Sequence, residues 1–221
     1  MKYNTIVITG SNGATARELI YYFSKISNNV VGIARCEKEE FDKENITVLE
    51  ADMCDYNSVD TISKVIMERY QSIDVWINCV GGFSMGSSIE NDTTNWKTMY
   101  DINFLTCLHG SQAALMHMSK QGRGNIINIG SQAAIDGFPD AAPYLVSKSS
   151  VHMLTRLIAL ENTHNNVTAN AILPGIIDTE ANRKAMPDED FSTWQTPIDI
   201  ALSIERTIDS NESGLLVSVD K

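Results

Sequence analysis

Residues 5–16 read Thr-Ile-Val-Ile-Thr-Gly-Ser-Asn-Gly-Ala-Thr-Ala, a β-branched apolar run that ends in a turn of small residues. A helical pattern follows at once, so this stretch predicts a strand, a tight turn and a helix. Gly10 permits the turn, and the small residues after it let a pyrophosphate approach the backbone. The helix N-terminus adds unpaired N–H groups and the positive end of its dipole. The plain alternative is an ordinary strand–helix turn, but the position after the first strand favours a phosphate-binding loop.

The same alternation of short strands and longer helices continues along the chain. Further strands are predicted at 29–34, 46–51, 73–78, 125–130, 167–173 and 215–219, and helices at 15–26, 56–70, 103–120, 143–162 and 197–209. Repeated strand–helix–strand units indicate an α/β fold, with a seven-stranded parallel sheet and helices on both faces. We therefore predict a single Rossmann-type, doubly wound domain over residues 1–221. Residues 175–196 read as a long loop, and we expect a short substrate lid at about 176–196.

Composition excludes several classes of protein. The 221 residues are 43% hydrophobic and 20% charged, which is typical of a globular chain with a sizeable core. The net charge of −11 argues against nucleic acid and anionic membrane surfaces as partners. The four cysteines have no metal-ligand spacing, so we expect free thiols and no metal site. An apolar strand that begins by Thr5 leaves no room for a signal peptide, and no run approaches the roughly 20 apolar residues of a membrane span. These features predict a cytoplasmic protein that acts on a small molecule.

The end of the second predicted strand bears on the choice of cofactor. In dinucleotide folds an acidic residue at this point favours NAD. This chain has Arg35 instead, and a guanidinium there can pair with a 2′-phosphate. NADP is therefore the favoured cofactor, with NAD possible. The alternative is a solvated cation that Glu37, Glu39 and Glu40 neutralise.

Tyr144 and Lys148 open one predicted helix, and residues four apart share a helix face. A phenol with an ordinary pKa near ~10 is a weak acid and base at neutral pH, but a nearby cation favours the phenolate. The pair can therefore serve acid–base chemistry, although the spacing alone is common in amphipathic helices. Ser131 follows a strand and so lies at the carboxyl end of the sheet, where open α/β folds bind ligands.

The ordered set of motifs resembles the short-chain dehydrogenases/reductases over nearly the whole chain. The glycine motif of that family falls on residues 9–16, its NNAG motif on 78–81, and its PG motif on 174–179. Departures occur at Ala14 and Ala16, which replace glycines in one alignment of the motif, and at Cys79 and Val80. An Ala14 methyl close to the pyrophosphate is expected to shift or weaken the bound cofactor slightly.

The resemblance implies a site residue by residue. The catalytic set falls on Asn103, Ser131, Tyr144 and Lys148. The cofactor set falls on Gly10, Ser11, Asn12, Gly13, Ala14, Arg35, Asp52, Met53, Asn78, Val80, Gly81, Tyr144, Lys148, Pro174, Gly175, Ile177 and Thr179. The implied reaction is hydride transfer from NADPH to a carbonyl. Ser131 would orient that carbonyl, Tyr144 would protonate it, Lys148 would lower the pKa of Tyr144, and Asn103 would hold a water.

The substrate is less defined by these motifs. Residues 178–194 resemble the corresponding segment of dihydropteridine reductases, yet Ser131 and Arg35 differ from that group. Aromatic rings in this lid would suit a flat, pterin-like ring, and the expected substrate contacts are Gly82, Phe83, Phe191 and Trp194. The alternatives are a reductase of 3-oxoacyl groups on an acyl-carrier protein, using Arg156, Arg183 and Lys184, and a nucleotide-binding regulator without turnover.

Two further expectations concern the helices of this chain. The resemblance implies a homodimer or homotetramer that pairs through helices 103–120 and 143–162. The four histidines are scattered on predicted helices, and we expect them to have surface or packing roles. They are His109, His117, His152 and His164.

Overall fold

Seven parallel strands form one sheet in the computed structural model, which describes residues 1–36, 41–89 and 92–220. The strands are β1 (Tyr3–Thr9), β2 (Ser27–Ala34), β3 (Ile46–Glu50), β4 (Val75–Asn78), β5 (Gly124–Ile129), β6 (Val167–Leu173) and β7 (Leu216–Ser218). Their order across the sheet is β3-β2-β1-β4-β5-β6-β7. Each begins and ends within two residues of its prediction, because buried parallel strands are nearly continuous runs of β-branched residues.

Eight α-helices connect the described strands. They are α1 (Ala14–Phe23), α2 (Tyr56–Tyr70), α3 (Thr93–Tyr100), α4 (Thr106–Gln121), α5 (Ala133–Asp136), α6 (Ala142–Glu161), α7 (Glu180–Ala185) and α8 (Pro197–Ser210). Side chains cap the N-termini of several helices. Asp55 is the N-cap of α2, Asp92 is the N-cap of α3, and Thr196 forms a capping box with Asp199 at α8. None of these described helices has both the length and the apolar character needed to cross a bilayer.

The core consists of two apolar layers, one on each face of the sheet. One layer packs α1 and α8 against the central strands, with Phe23, Ile8 and Ile204 fully buried. The other packs α2, α4 and the C-terminal part of α6 against the opposite face, around Trp76 and Met118. Both faces of the sheet are therefore covered, as the doubly wound prediction requires.

Three predicted boundaries are wrong. The helix predicted at 15–26 ends at Phe23, since β2 already begins at Ser27. The helix predicted to begin at residue 103 follows α3 through one π-helical turn, Asp101–Leu105. The loop predicted at 175–196 contains α7 and the 3₁₀ turn Phe191–Thr193. Short helices carry little periodic signal, which explains why α3, α5, α7 and the 3₁₀ turn were not predicted.

The strand order places a crevice at the carboxyl edge of the sheet. The order reverses between β1 and β4, which are neighbours although two strands separate them in the chain. Loops that follow β1 and β4 leave in opposite directions at such a switch point and open a binding crevice. The glycine loop after β1 and residues 79–83 after β4 lie there.

Candidate active site

A cleft of about 600 Å³ opens beside the glycine loop. Its lining includes eight of the residues expected to hold a cofactor: Gly10, Asn12, Gly13, Arg35, Asp52, Met53, Val80 and Gly81. Gly10 has φ +76°, and a Cβ there would lie 3.2–3.3 Å from Val80, so glycine suits both the backbone and the space. Gly13, which begins α1, leaves the first N–H groups of that helix without a side-chain cap.

A second cleft of about 340 Å³ adjoins the first. The two share Gly10, Gly13, Cys79 and Gly81 in their linings. The second cleft is also lined by the other expected residues Ala14, Gly82, Phe83, Tyr144, Lys148, Pro174, Gly175, Ile177 and Thr179. The structure thus brings together, along one continuous crevice, segments that are up to 169 positions apart, from Gly10 to Thr179.

Tyr144 lines the second cleft, and Ser131, which is buried and lies outside both linings, is its neighbour. Tyr144 lies in the first turn of α6, and its side chain interacts with that of Ser131, which follows β5. Burial raises the pKa of Tyr144 above its ordinary value, and the interaction with Ser131 opposes that rise. The predicted lowering by Lys148 is therefore not the dominant effect in this structure. Tyr144 is held in its protonated form at neutral pH.

Lys148 lies one helical turn beyond Tyr144 on the same face of α6. Its Nζ donates a 2.7 Å hydrogen bond to the carbonyl of Ile129. The side chain is buried, and this burial lowers the pKa of its ammonium group, a shift that Cys107 and Cys79 oppose. A buried amine with one carbonyl partner retains donor capacity toward the cleft that it lines.

Asn103 lies in the π-helical turn, and its amide fastens the loop after β4. Its Oδ1 accepts from Gly82 N at 2.9 Å, and its Nδ2 donates to Gly82 O at 3.0 Å. The same Nδ2 lies 3.0 Å from the Ser147 hydroxyl of α6. Asn103 therefore links the π turn, the cleft wall and α6, while its expected role in holding a water stays a prediction.

The structure corrects the expectation for Asn78, whose side chain faces away from both clefts. Its Oδ1 accepts from Trp76 Nε1 at 2.9 Å, and its Nδ2 donates to Ser111 Oγ at 3.0 Å and Asn128 Oδ1 at 2.8 Å. Asn128 in turn donates to Thr155 Oγ1 at 2.8 Å. Asn78 thus belongs to a buried polar network that ties β4, β5, α4 and α6 together beneath the site.

Five more expected residues lie outside both cleft linings: Ser11, Asn103, Ser131, Phe191 and Trp194. Ser11 is fully buried and faces Gly32 of β2, where an added Cβ would come within 2.7 Å of the Ser11 Cβ. Trp194 is 3% exposed and packs on Phe191, with ring centroids 4.7 Å apart. The Arg183 guanidinium lies 4.9 Å from the centroid of the Phe191 ring. In this structure Ser11, Phe191 and Trp194 are packing residues.

Three residues outside the predicted site contact it, and one of them, His152, was expected to have only a surface or packing role. Ser147 holds Asn103, His152 contacts Ser131, and Phe138 stacks near Phe83. Only His152 had a signal in the sequence, since it follows Tyr144 and Lys148 at four-residue spacing on α6. Glu37, Glu39 and Glu40, the expected competitors for Arg35, lie outside the described residues.

Comparison with known proteins gives a consistent result. Residues 4–190 match the family described as short chain dehydrogenase. The chain is 29% identical to 3beta-hydroxysteroid dehydrogenase 1 of Eggerthella lenta, over 85% of this chain and 76% of that one. It is 26% identical to 2-dehydro-3-deoxy-D-gluconate 5-dehydrogenase of Dickeya dadantii, over 97% and 92%. Among solved structures, ElxO with NADP bound superposes with a TM-score of 0.92 at 28% identity, covering 100% of this chain and 98% of ElxO.

The fold and the crevice define a Rossmann-type protein in which Tyr144 and Lys148 line a cleft that adjoins the glycine loop. The family match covers well over half of the chain. The chain therefore belongs to the short-chain dehydrogenases/reductases and is an oxidoreductase of carbonyl and hydroxyl groups. Its likeness to dihydropteridine reductases over residues 178–194 stays a prediction.

Proposed function

We propose that this protein reduces a small, neutral carbonyl compound with NADPH, and that Tyr144 donates the proton. The observation that carries this proposal is that Tyr144 and buried Lys148 line a cleft adjoining the glycine loop, with the Ser131 side chain next to Tyr144. A phenol held in its protonated form suits a proton donor at neutral pH.

The crevice fits a dinucleotide. Uncapped N–H groups at the start of α1, next to the glycine turn, suit a pyrophosphate. Asp52 and Met53 line the far end of the first cleft, where an adenosine would lie. Arg35 is exposed and lines the same end, and ElxO, with NADP bound, supports the choice of NADP over NAD. Arg35 would pair with the 2′-phosphate.

The residues of the second cleft have distinct roles in this proposal. When bound, the reduced nicotinamide supplies the hydride. The Ser131 hydroxyl donates to the substrate oxygen and stabilises the charge that develops on it. Tyr144 Oη then transfers its proton to that oxygen. Lys148 would hold ribose hydroxyls with its remaining N–H groups and supply positive charge near the phenol.

An exposed aromatic ring, Phe83, lines the second cleft next to Tyr144. Phe83 is 57% exposed, and its ring lies edge-to-face with Tyr144, with centroids 5.0 Å apart. Phe138, 40% exposed, stacks on the other side of Phe83 at 6.5 Å. Exposed aromatic rings beside a proton donor suit an apolar, ring-bearing carbonyl compound. Lys148 is the charged residue among the described lining of this cleft, which provides no separate cation for a carboxylate or phosphate.

The two alternatives have weaker support. An acyl-carrier protein is acidic and needs a basic surface, yet Arg183 forms a bidentate ion pair with Asp178, and Lys184 pairs with Glu180 at 2.6 Å. A regulator without turnover would not need Ser131, Tyr144 and Lys148 around one cleft. The acyl-carrier-protein reductase and the regulator remain the two alternatives to the proposal.

Tyr144→Phe tests the proposal directly. Removing the hydroxyl should lower kcat for carbonyl reduction by about 10²–10⁴-fold, the usual contribution of a positioned acid. NADPH affinity, followed by nicotinamide fluorescence, should change less than twofold, because the ring remains in place. Tyr100→Phe, a matched change on exposed α3, should leave both quantities unchanged. Undiminished turnover in Tyr144→Phe would remove Tyr144 as proton donor, whereas a wild-type protein that binds NADPH and reduces no carbonyl would favour the regulator.

A further inference from the structure

His152 accepts a hydrogen bond from the backbone N–H of Ser131, a group that has no partner in a neighbouring strand. Asn125 N of β5 donates to Asp74 O on the β4 side, whereas Gly130 N and the N–H of residue 132 donate to the β6 side. Because backbone groups alternate in direction along a strand, Ser131 N–H and Ile129 C=O both point toward β4. However, β4 ends at Asn78, opposite Asn128, so neither group has a partner there.

Two side chains of α6 satisfy these two groups. Lys148 Nζ donates to Ile129 O at 2.7 Å, and Ser131 N donates to His152 Nε2 at 3.2 Å. Lys148, Ser131 and His152 are buried and Ile129 is half-buried, so leaving either backbone group unpaired would be costly. The two side chains are one helical turn apart, and together they bridge α6 to the free end of β5.

The approach of the imidazole depends on Gly130. A Cβ at that position would lie 2.5 Å from His152 Nε2 and 2.5 Å from Leu173 Cδ2. The chain therefore has no side chain where the ring meets the strand. An acceptor at Nε2 also places the ring proton on Nδ1 of a neutral imidazole.

The electrostatic surroundings keep this histidine neutral. Burial, with smaller contributions from the cations of Lys148 and Arg156, lowers the pKa of His152 to about 4. A protonated ring could not accept from Ser131 N–H. The contact is therefore available across the neutral pH range in which the enzyme would work.

We propose that His152 is a positioning residue for carbonyl reduction: by accepting the Ser131 N–H, it fixes where the Ser131 hydroxyl meets Tyr144. This inference rests on the proposed function, in which both hydroxyls contact the substrate oxygen. Ser131 lies directly after its strand, so its place depends on contacts of this kind. Misplacement of a catalytic group by about 1 Å can cost up to about 10²-fold in rate.

Three substitutions separate positioning from simple packing. In His152→Gln, Oε1 reaches the place of Nε2 and can accept the same hydrogen bond. His152→Asn carries the same amide on a shorter chain, and His152→Met has the length of glutamine but only a weak acceptor. The control is His117→Met. His117 Nε2 also has a hydrogen-bond partner, Ser63 Oγ of α2 at 3.0 Å, but this contact is away from the site.

The full chain would be assayed with NADPH and 9,10-phenanthrenequinone, and amide hydrogen exchange at Ser131 would be measured without substrate. We expect the Met and Asn variants to lose about tenfold in kcat, with NADPH affinity changed less than twofold, and to exchange the Ser131 amide faster. The Gln variant should recover most of both properties. His117→Met should lower the melting temperature and leave kcat unchanged.

Several outcomes would overturn the inference. One is an equal loss of kcat in the Gln and Met variants. Another is a Met variant with wild-type kcat and wild-type exchange of the Ser131 amide. A third, which needs no variant, is a protonated Nε2 in the ¹⁵N–¹H spectrum of wild-type His152. If the variants exchange the Ser131 amide in the predicted order but the protein reduces no carbonyl, the hydrogen bond is supported and the proposed function is rejected. A protein that turns over but whose variants do not exchange the Ser131 amide in the predicted order would reject only the role of His152.

Discussion

At the scale of single residues, Phe83 lies against Tyr144, with the two ring centroids 5.0 Å apart. It follows Gly82, whose N–H and C=O are both bound by Asn103, so the backbone before the ring is fixed on two sides. Further along the loop, Gly86 N donates to Asp140 O and Gly86 O accepts from Ala142 N at 3.2 Å. The aromatic wall is thus anchored at both ends rather than carried on a free loop.

Replacing this ring should change substrate preference more than overall activity. Phe83→Leu keeps an apolar side chain but removes an aromatic contact worth about 0.5–1.5 kcal/mol, so kcat/KM for 1-tetralone should fall about 2–10-fold relative to that for 2-heptanone. Steady-state assays with NADPH would measure the ratio. Phe191→Leu, the same change outside the cleft linings, should leave it unaltered. Equal losses for the two ketones would show that Phe83 does not select a ring.

Residue-level reasoning located most of the site but not the direction of every side chain. Gly10, Tyr144 and Lys148 line the crevice because their motifs are local, and neighbours in sequence determine where they point. Ser11 and Asn78 belong to the same motifs, yet they face β2 and α4. Their orientation depends on elements distant in the sequence, which a motif does not describe.

At the scale of elements, the close approach of α4 to β4 supports the floor of the site. Gly110 of α4 faces Asn78 and Trp76, and a Cβ there would lie 2.1 Å from Asn78 Oδ1 and 2.8 Å from Trp76 Nε1. The absence of a side chain lets the helix backbone pack directly over the buried amide network. The spacing between α4 and the sheet is therefore set by Gly110.

Gly110→Ala should destabilise the protein, although glycine-to-alanine changes in helix interiors ordinarily stabilise by roughly 0.5–1 kcal/mol. Here the added methyl must displace Asn78 or the helix, and overpacking of a core costs typically about 1–3 kcal/mol. Urea denaturation followed by circular dichroism would give the free energy of unfolding. Gln112→Ala, at an exposed position of α4, is the control and should be close to neutral. A more stable Gly110→Ala variant would contradict this packing.

The segment predicted as a lid is fastened at both ends by one residue. Gln195 N donates to Ile176 O at 3.0 Å, Gln195 O accepts from Asp178 N at 2.7 Å, and its Oε1 accepts from Gly175 N at 2.7 Å. Between these ends lie α7 and the 3₁₀ turn. The sequence indicated the loop by its polar composition, but this bridge joins residues about twenty positions apart and leaves no periodic signal. Its role as a lid stays a prediction.

At the scale of the whole molecule, the outer face of α6 is apolar. Val146, Met153, Leu157 and Leu160 are 45–71% exposed, and they recur at spacings of seven, four and three residues. Exposed apolar stripes of this kind mark interaction surfaces, which agrees with the expectation of a homodimer or homotetramer through α4 and α6.

Leu157→Glu should therefore reduce the assembly. A charge buried without a partner strongly disfavours an interface, so the variant should shift toward the monomer mass of 24.4 kDa. Size-exclusion chromatography with light scattering would measure the mass. Val65→Glu, at a 41% exposed position of α2, is the matched control and should keep the wild-type mass. A monomeric wild-type protein, or an unchanged mass in Leu157→Glu, would contradict this interface.

The sheet was predictable at this scale because seven strands, each with its own apolar run, alternate with helices. The strand order follows from right-handed crossovers once that alternation is known. The π-helical turn was not predictable, since Asp101–Leu105 has the composition of an ordinary helix. Within it, Asn103 makes tertiary contacts with Gly82 and Ser147, which no local pattern contains.

The central claim, an NADPH-dependent reductase, is tested most directly by titrating the full chain with NADPH and, separately, with NADH. Arg35 at the end of β2 should hold the 2′-phosphate through charge-assisted hydrogen bonds, so NADPH should bind at least about tenfold more tightly. Arg35→Gln should remove most of that difference and leave NADH binding unchanged. Equal affinities, tighter NADH binding, or binding of neither nucleotide would contradict this account.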